Sequence, residues 1–158
     1  MSESCTAPAD VVRGYAQAKS RADMPAVLRL CHPEMVFETI AFQVVATGID
    51  EVARQNTAFL RAFPDYEVEL EYLIEAGDSV VGGGTIRATM VESLAGIEST
   101  GRSYALPFAR HWRVRDGLIV RERFLFDFHQ MCEQLGLSTD AAGAKFTAWR
   151  ERAKAALR

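Results

Sequence analysis

The chain has 158 residues, enough for one domain with its own core, and its 49% hydrophobic and 25% charged residues are ordinary globular values. A net charge of −3 gives no electrostatic reason to expect nucleic acid or an anionic membrane as partner. No apolar run approaches the ~20 residues that span a bilayer, and the polar start MSESCTAPAD lacks a signal pattern, so a cytoplasmic protein is expected. Three cysteines, Cys5, Cys31 and Cys132, have no metal-like spacing, and Cys31 and Cys132 read as buried, reduced small hydrophobes.

Thr6, Ala7 and Pro8 open a first helix over 8–21, whose inner face carries Val11, Val12, Tyr15, Ala18 and Ala22 at helical spacing. Asp23 caps a short second helix that His32-Pro33 stops. A short strand over 35–40 and an irregular arm over 42–45 precede a third helix over 49–63. Val52, Ala53, Phe59, Leu60 and Phe63 form its buried side.

Residues 66–75 alternate as a strand, with Val68, Leu70 and Tyr72 against Glu67, Glu69 and Glu71. After a turn at 76–78, a strand over 79–90 contains Gly82, Gly83 and Gly84. No helix and no Lys-Ser/Thr follows, so this is no phosphate loop. A bulge, a close approach or a cavity enlarged by missing side chains remain open. A polar loop over 91–103 leads to the most informative stretch, 104–128. A short helix over 129–135, closed by Gly136, and an amphipathic helix over 140–158 with Phe146, Trp149, Ala153 and Leu157 on one side complete the chain.

The stretch 104–128 reads as a long hairpin turning at Arg115-Asp116-Gly117. That turn sets Val114 opposite Leu118, Trp112 opposite Val120, Arg110 opposite Glu122, Phe108 opposite Phe124 and Leu106 opposite Phe126. All ten then share one face. A two-residue turn at Asp116-Gly117 mixes core with charge on both faces, so the pattern selects the first register. Helices first, then a curved antiparallel sheet, then terminal helices make an α+β chain.

Several segments together carry a family resemblance. Cys31 to Glu38, CHPEMVFE, resembles the "HPD-x-V-F-E-D" segment of SnoaL-like proteins, and FLRAFPDY at 59–66 resembles their third helix and its exit. TGR at 100–102 and Phe126-Asp127 followed by QLGL at 134–137 resemble their later motifs. Over about residues 8–137 the chain is similar to the SnoaL-like polyketide cyclase and ketosteroid isomerase branch of the nuclear transport factor two-like, or cystatin-cone, superfamily. The resemblance implies a cone domain over 1–137 with a pocket between sheet and helices, and a C-terminal helical extension over 138–158. Along this alignment the isomerase's pocket acid falls at Arg110 and its general base at Thr39. The acid/base aspartate of the cyclases falls at Phe124.

The remaining candidates for chemistry are Glu122, Arg110 and Tyr15. A charge pair within an apolar face is costly to desolvate and seldom needed for stability. Arg110 then polarises a carbonyl oxygen and Glu122 shuttles a proton, or the two form a structural bridge. Tyr15 donates a hydrogen bond to a ligand or is a core tyrosine. Phe37, Thr39, Phe59, Phe63, Trp112, Phe124 and Phe126 are the expected substrate-binding wall. His111 faces outward toward a surface or dimer role, and His32 and His129 read as local structure, so no metal is expected. The expected function is a cofactor-free isomerase or cyclase for a hydrophobic polyketide-, steroid- or terpenoid-like carbonyl compound. A non-catalytic small-molecule-binding or interaction domain of the same fold is the alternative. A hydrophobic small molecule and a second copy of the chain, forming a homodimer, are the expected partners.

Overall fold

Eleven elements succeed one another in the computed structural model, which describes residues 6–156 and 158. They are α1 (Pro8–Ser20), α2 (Met24–Arg29), β1 (Cys31–Thr39), β2 (Val44–Thr47), α3 (Ile49–Ala62) and β3 (Glu67–Ala76). Then follow β4 (Ser79–Thr89), β5 (Ser103–Arg115), β6 (Leu118–Phe126), α4 (Phe128–Leu135) and α5 (Thr139–Ala156). Pro8 occupies the first turn of α1, where its missing N–H has no partner to lose. The Asp23 side chain accepts from the Ala26 N–H at the start of α2, and Gly136 ends α4 in the left-handed conformation. The expectations for Cys5 and Leu157 lie outside the described residues. Cys31 and Cys132 are buried and unpaired.

The strands form one six-stranded sheet in the order β2-β1-β6-β5-β4-β3, with α1, α3 and α4 packed against it. The arm expected to be irregular contributes β2, which pairs with β1. The β1–β6 pairing is parallel while the others are antiparallel, so the sheet is mixed. Those two strands are far apart in sequence, which leaves the long crossover that parallel neighbours need. His32-Pro33 does not lie between helix and strand as expected but inside β1, which starts at Cys31.

The hairpin register departs from expectation. Asp116 (φ 52°) and Gly117 (φ 75°) make the tight two-residue turn, with Arg115 opposite Leu118 and Val114 opposite Ile119. Past Ile119 the ladder shifts, because Val120 is an extra residue, and Arg113 pairs with Arg121. Trp112 therefore stands opposite Glu122, and Arg110 opposite Phe124. The bulge resolves the conflict that argued against the short turn. Ile119 is buried on one side of the extra residue, Glu122 and Phe124 on the other, and Arg121 and Arg123 remain exposed. Arg110 and Glu122 keep the same face but meet diagonally.

A second bulge explains the glycines. Leu70 pairs with Gly84 and Tyr72 with Gly83, so Glu71 is the extra residue of β3. Tyr72 and Ile74 consequently point outward, 46% and 63% exposed, and Leu73 packs on the core. A Cβ on Gly84 would lie 1.9 Å from the Glu69 carbonyl oxygen. One on Gly82 would meet Leu73 at 2.4 Å and the Trp112 ring at 3.2 Å. The glycines thus admit the bulge and the indole. Gly84→Ala is expected to destabilise the fold by about 3 kcal/mol, because backbone rather than a side chain must yield. Urea unfolding measures this, and a loss below about 1 kcal/mol would show that the bulge relaxes.

Candidate functional site

Helix α1 turns Val12, Tyr15 and Lys19 toward the sheet at intervals of three and four, one stripe of a helix. The stripe crosses β5 and β6 where they carry Arg110 and Glu122. All four groups are removed from solvent: Tyr15 and Glu122 are 0% exposed, Arg110 2% and Lys19 3%. The Tyr15 hydroxyl donates to Glu122 Oε2 at 2.5 Å, and Arg110 Nη1 donates to Glu122 Oε1 at 2.8 Å. Arg110 Nη2 donates to the Tyr66 hydroxyl at 2.7 Å, and the guanidinium lies 3.7 Å from the Phe124 ring centre. Lys19 Nζ stands 3.8 Å from Glu122 Oε1, over the rings of Tyr15 (4.5 Å) and Phe37 (4.8 Å).

The cluster holds two cationic side chains for one carboxylate. Burial is the main cause that lowers Lys19 to about 8, with Glu122 opposing and Arg110 reinforcing the shift. Burial, then the Glu122 charge, raises Tyr15 well above an ordinary phenol, which keeps its proton in place as a donor. Burial likewise raises Tyr66 against the pull of Arg110. Arg110 Nε and Trp112 Nε1 are buried with no hydrogen-bond partner.

Lys19, Arg110 and Tyr66 line a largely apolar cavity of about 50 Å³, whose other polar lining residues are Thr39, Gln55 and Asn56. Of the expected wall, Phe37, Thr39, Phe59 and Phe124 line it. Phe63 instead packs on Phe59 and Tyr104, and Trp112 is buried beside Gly82. Phe126 packs on Phe42 and Phe124. Tyr15 and Glu122 stand behind Lys19 and Arg110 rather than at the cavity surface. The last helix supplies Phe146 and Trp149 to the wall. Phe146 stacks on Phe42 with ring centres 4.2 Å apart, and Arg150 Nη1 donates to the Phe42 carbonyl at 3.1 Å.

Sequence reasoning missed Lys19, Tyr66 and Phe42. Lys19 was detectable, since it lies one turn after Tyr15 on the same apolar stripe, but its charge argued for solvent. Tyr66 read only as the first residue of a strand. The histidines make local hydrogen bonds: His111 with Ser79, His129 with Thr139, and His32 accepting from the Glu34 N–H. Among the described residues no helix is long and apolar enough to cross a membrane.

Lys19 supplies a signed pH effect. Its value in the fold, about 8, lies below the ~10.4 of an unfolded lysine, so between those values the unfolded chain binds more protons. The contribution is fully present above ~10.4 and is lost as pH falls through about 8. The stability of wild type relative to Lys19→Met is expected to rise across that window in urea titrations. A difference that stays flat with pH would refute the shift.

The family model for SnoaL-like polyketide cyclase matches residues 9–135. Similar solved structures include a hypothetical protein with a ketosteroid isomerase-like fold from Catenulispora acidiphila, crystallised with trimethylamine. It is 18% identical, with TM-score 0.74 over 85% of this chain and 98% of that one. IdmH from Streptomyces antibioticus, a proposed polyketide cyclase, is 23% identical, with TM-score 0.70 over 82% and 99%. An NTF2-like protein of unknown function from Burkholderia pseudomallei is 25% identical, with TM-score 0.69 over 81% and 96%. The curved six-stranded sheet and its helices are thus the NTF2-like cone. No curated protein sequence matches.

Proposed function

Because the chain belongs to the SnoaL-like polyketide cyclase family, we propose that it is an isomerase or cyclase for a hydrophobic polyketide-, steroid- or terpenoid-like carbonyl compound. The observation that carries this reading is a largely apolar cavity lined by two buried cations organised on a single carboxylate. A low-dielectric site with excess positive charge favours the form of a carbonyl compound that carries negative charge on oxygen, an enolate. Arg110, whose Nε–H has no protein partner, and Tyr66 receive that oxygen. Lys19, half neutral near pH 8, exchanges the proton at the neighbouring carbon. Glu122 acts through them, holding Arg110, Lys19 and Tyr15 in place. A cavity of about 50 Å³ holds a few waters. A polycyclic substrate therefore enters by displacing the Phe146 and Trp149 cover.

Replacing a buried ion pair by hydrophobes is often neutral for stability. The Arg110→Leu/Glu122→Leu double variant is expected to stay folded, while only wild type gains melting temperature from a panel of polycyclic ketones and enols. Lys19→Met is expected to lower turnover of any panel substrate by roughly 10²–10⁴-fold. The enzyme reading is wrong if the double variant unfolds and no ligand stabilises either protein, or if Lys19→Met turns over substrate at the wild-type rate.

The outer sheet face favours a second copy of the chain as partner. Tyr72, Ile74, Val81 and Leu125 are 42–63% exposed there, more large apolar surface than scattered singles. This face suits the dimeric interaction role, with or without catalysis. Sedimentation is expected to show a dimer for wild type and a monomer for Tyr72→Asp/Ile74→Asp; a monomeric wild type refutes it.

A further inference from the structure

We propose that Lys19 is a nucleophilic amine that condenses with the carbonyl carbon of a hydrophobic aldehyde or ketone in the cavity, forming an imine. The inference rests on the reading above for the ligand class, and on Lys19 itself for the chemistry.

Three observations converge on that side chain. The residue lines the cavity although it is only 3% exposed, so its side chain meets what enters the cavity rather than bulk water. Its nearest carboxylate oxygen, Glu122 Oε1, is 3.8 Å away, too far for a hydrogen bond that would hold its proton. Two aromatic faces and the Tyr15–Glu122 bond beneath fix its position. The charged and titratable groups that act on it are Glu122 on β6, Arg110 on β5 and Cys31 on β1, and Tyr15 on its own helix faces it with its ring. Near pH 8 about half of such amines are neutral, roughly a hundred-fold more than for an ordinary lysine.

The step is balanced without any co-reactant. Neutral Nζ adds to the carbonyl carbon, a C–N bond forms, and the π pair moves onto oxygen. Arg110 and Tyr66 stand beside it on the cavity wall to receive that charge. Both amine hydrogens then depart with the oxygen as water, and a C=N bond remains. Protonated, that imine draws electrons from the adjacent carbon more strongly than the carbonyl did. This makes the same site competent for aldol-type ring closure as well as for proton shifts.

The chain has only three lysines, Lys19, Lys145 and Lys154, so the adduct is easily located. The full chain is incubated with 6-methoxy-2-naphthaldehyde and sodium cyanoborohydride at pH 7, 8 and 9, then mapped by peptide mass spectrometry. At pH 8 the reduced adduct is expected on Lys19 with at least about a tenfold preference over Lys145 and Lys154. Its yield should rise from pH 7 to 9, and Lys19→Met should lose it while keeping the surface adducts. Absence of a Lys19 adduct, or labelling no faster than at the surface lysines, overturns the imine. The melting temperature with unreduced aldehyde and with the ketone panel separates the two failures. Ligand stabilisation without an adduct leaves a non-covalent site standing; no stabilisation by any ligand removes both readings.

Discussion

The Glu122 carboxylate is the constraint on which the rest of the site depends. It has no contact with water, and a bare carboxylate in that position would cost several kcal/mol. Its oxygens are satisfied from three directions: Tyr15 from α1, Arg110 from β5, and the more distant Lys19. Each partner is itself a buried polar group that needs Glu122. Helix α1 is thereby tied to a strand more than a hundred residues later, in the one register that presents Tyr15 and Lys19 together. The arrangement holds more positive than negative charge. That excess is what makes the cavity a candidate for chemistry rather than a sealed ion pair.

The cavity owes its shape to aromatic rings in contact with one another. Phe42 is the junction: Phe126, Phe128 and Phe146 all pack on it. Phe146 and Trp149 belong to α5, which lies beyond the residues that the family model matches. The cone alone would leave this side of the cavity more open. Helix α5 covers it with rings and one Arg150 hydrogen bond to a backbone carbonyl.

How much of this was legible in sequence depended on how local each signal was. The helices, the hairpin over 104–128 and the common face of Arg110 and Glu122 followed from periodicity, because burial imposes periods of 3.6 and 2 on the residues themselves; the pairing of β1 with β2 and β6 did not. The hairpin register did not follow. Asp116-Gly117 is a strong two-residue turn signal, and it was outweighed by an argument that assumed an unbroken ladder. One extra residue, Val120, satisfies both the turn and the core. The same failure recurs at Glu71, which turns Tyr72 outward where simple alternation turned it in. Bulges are settled by cross-strand contacts, here the close approach of Gly84 to Glu69, which no single-strand pattern contains. Lys19 was hidden for a different reason. Lysine is almost never fully buried without a partner, and its partner is 103 positions away.

The positions to which the family resemblance assigns carboxylic acids are informative because their geometry survives while their chemistry does not. Arg110, Thr39 and Phe124 all line the cavity, yet none can act as a carboxylic acid. A guanidinium stands in place of one acid, a hydroxyl and a phenyl ring in place of the others. The carboxylate that remains, Glu122, sits one layer further in, with cations between it and the cavity. In an acid-walled pocket the protein removes a proton directly and lends hydrogen bonds to the oxygen left behind. Here two cations line the wall, and on the proposed reading they stabilise the oxyanion while Lys19 exchanges the proton. On the proposed reading the same inversion takes Lys19 from packing to a reactive position. A lysine beside an exposed carboxylate stays charged, whereas one buried among rings beside a second cation gives up its proton near pH 8.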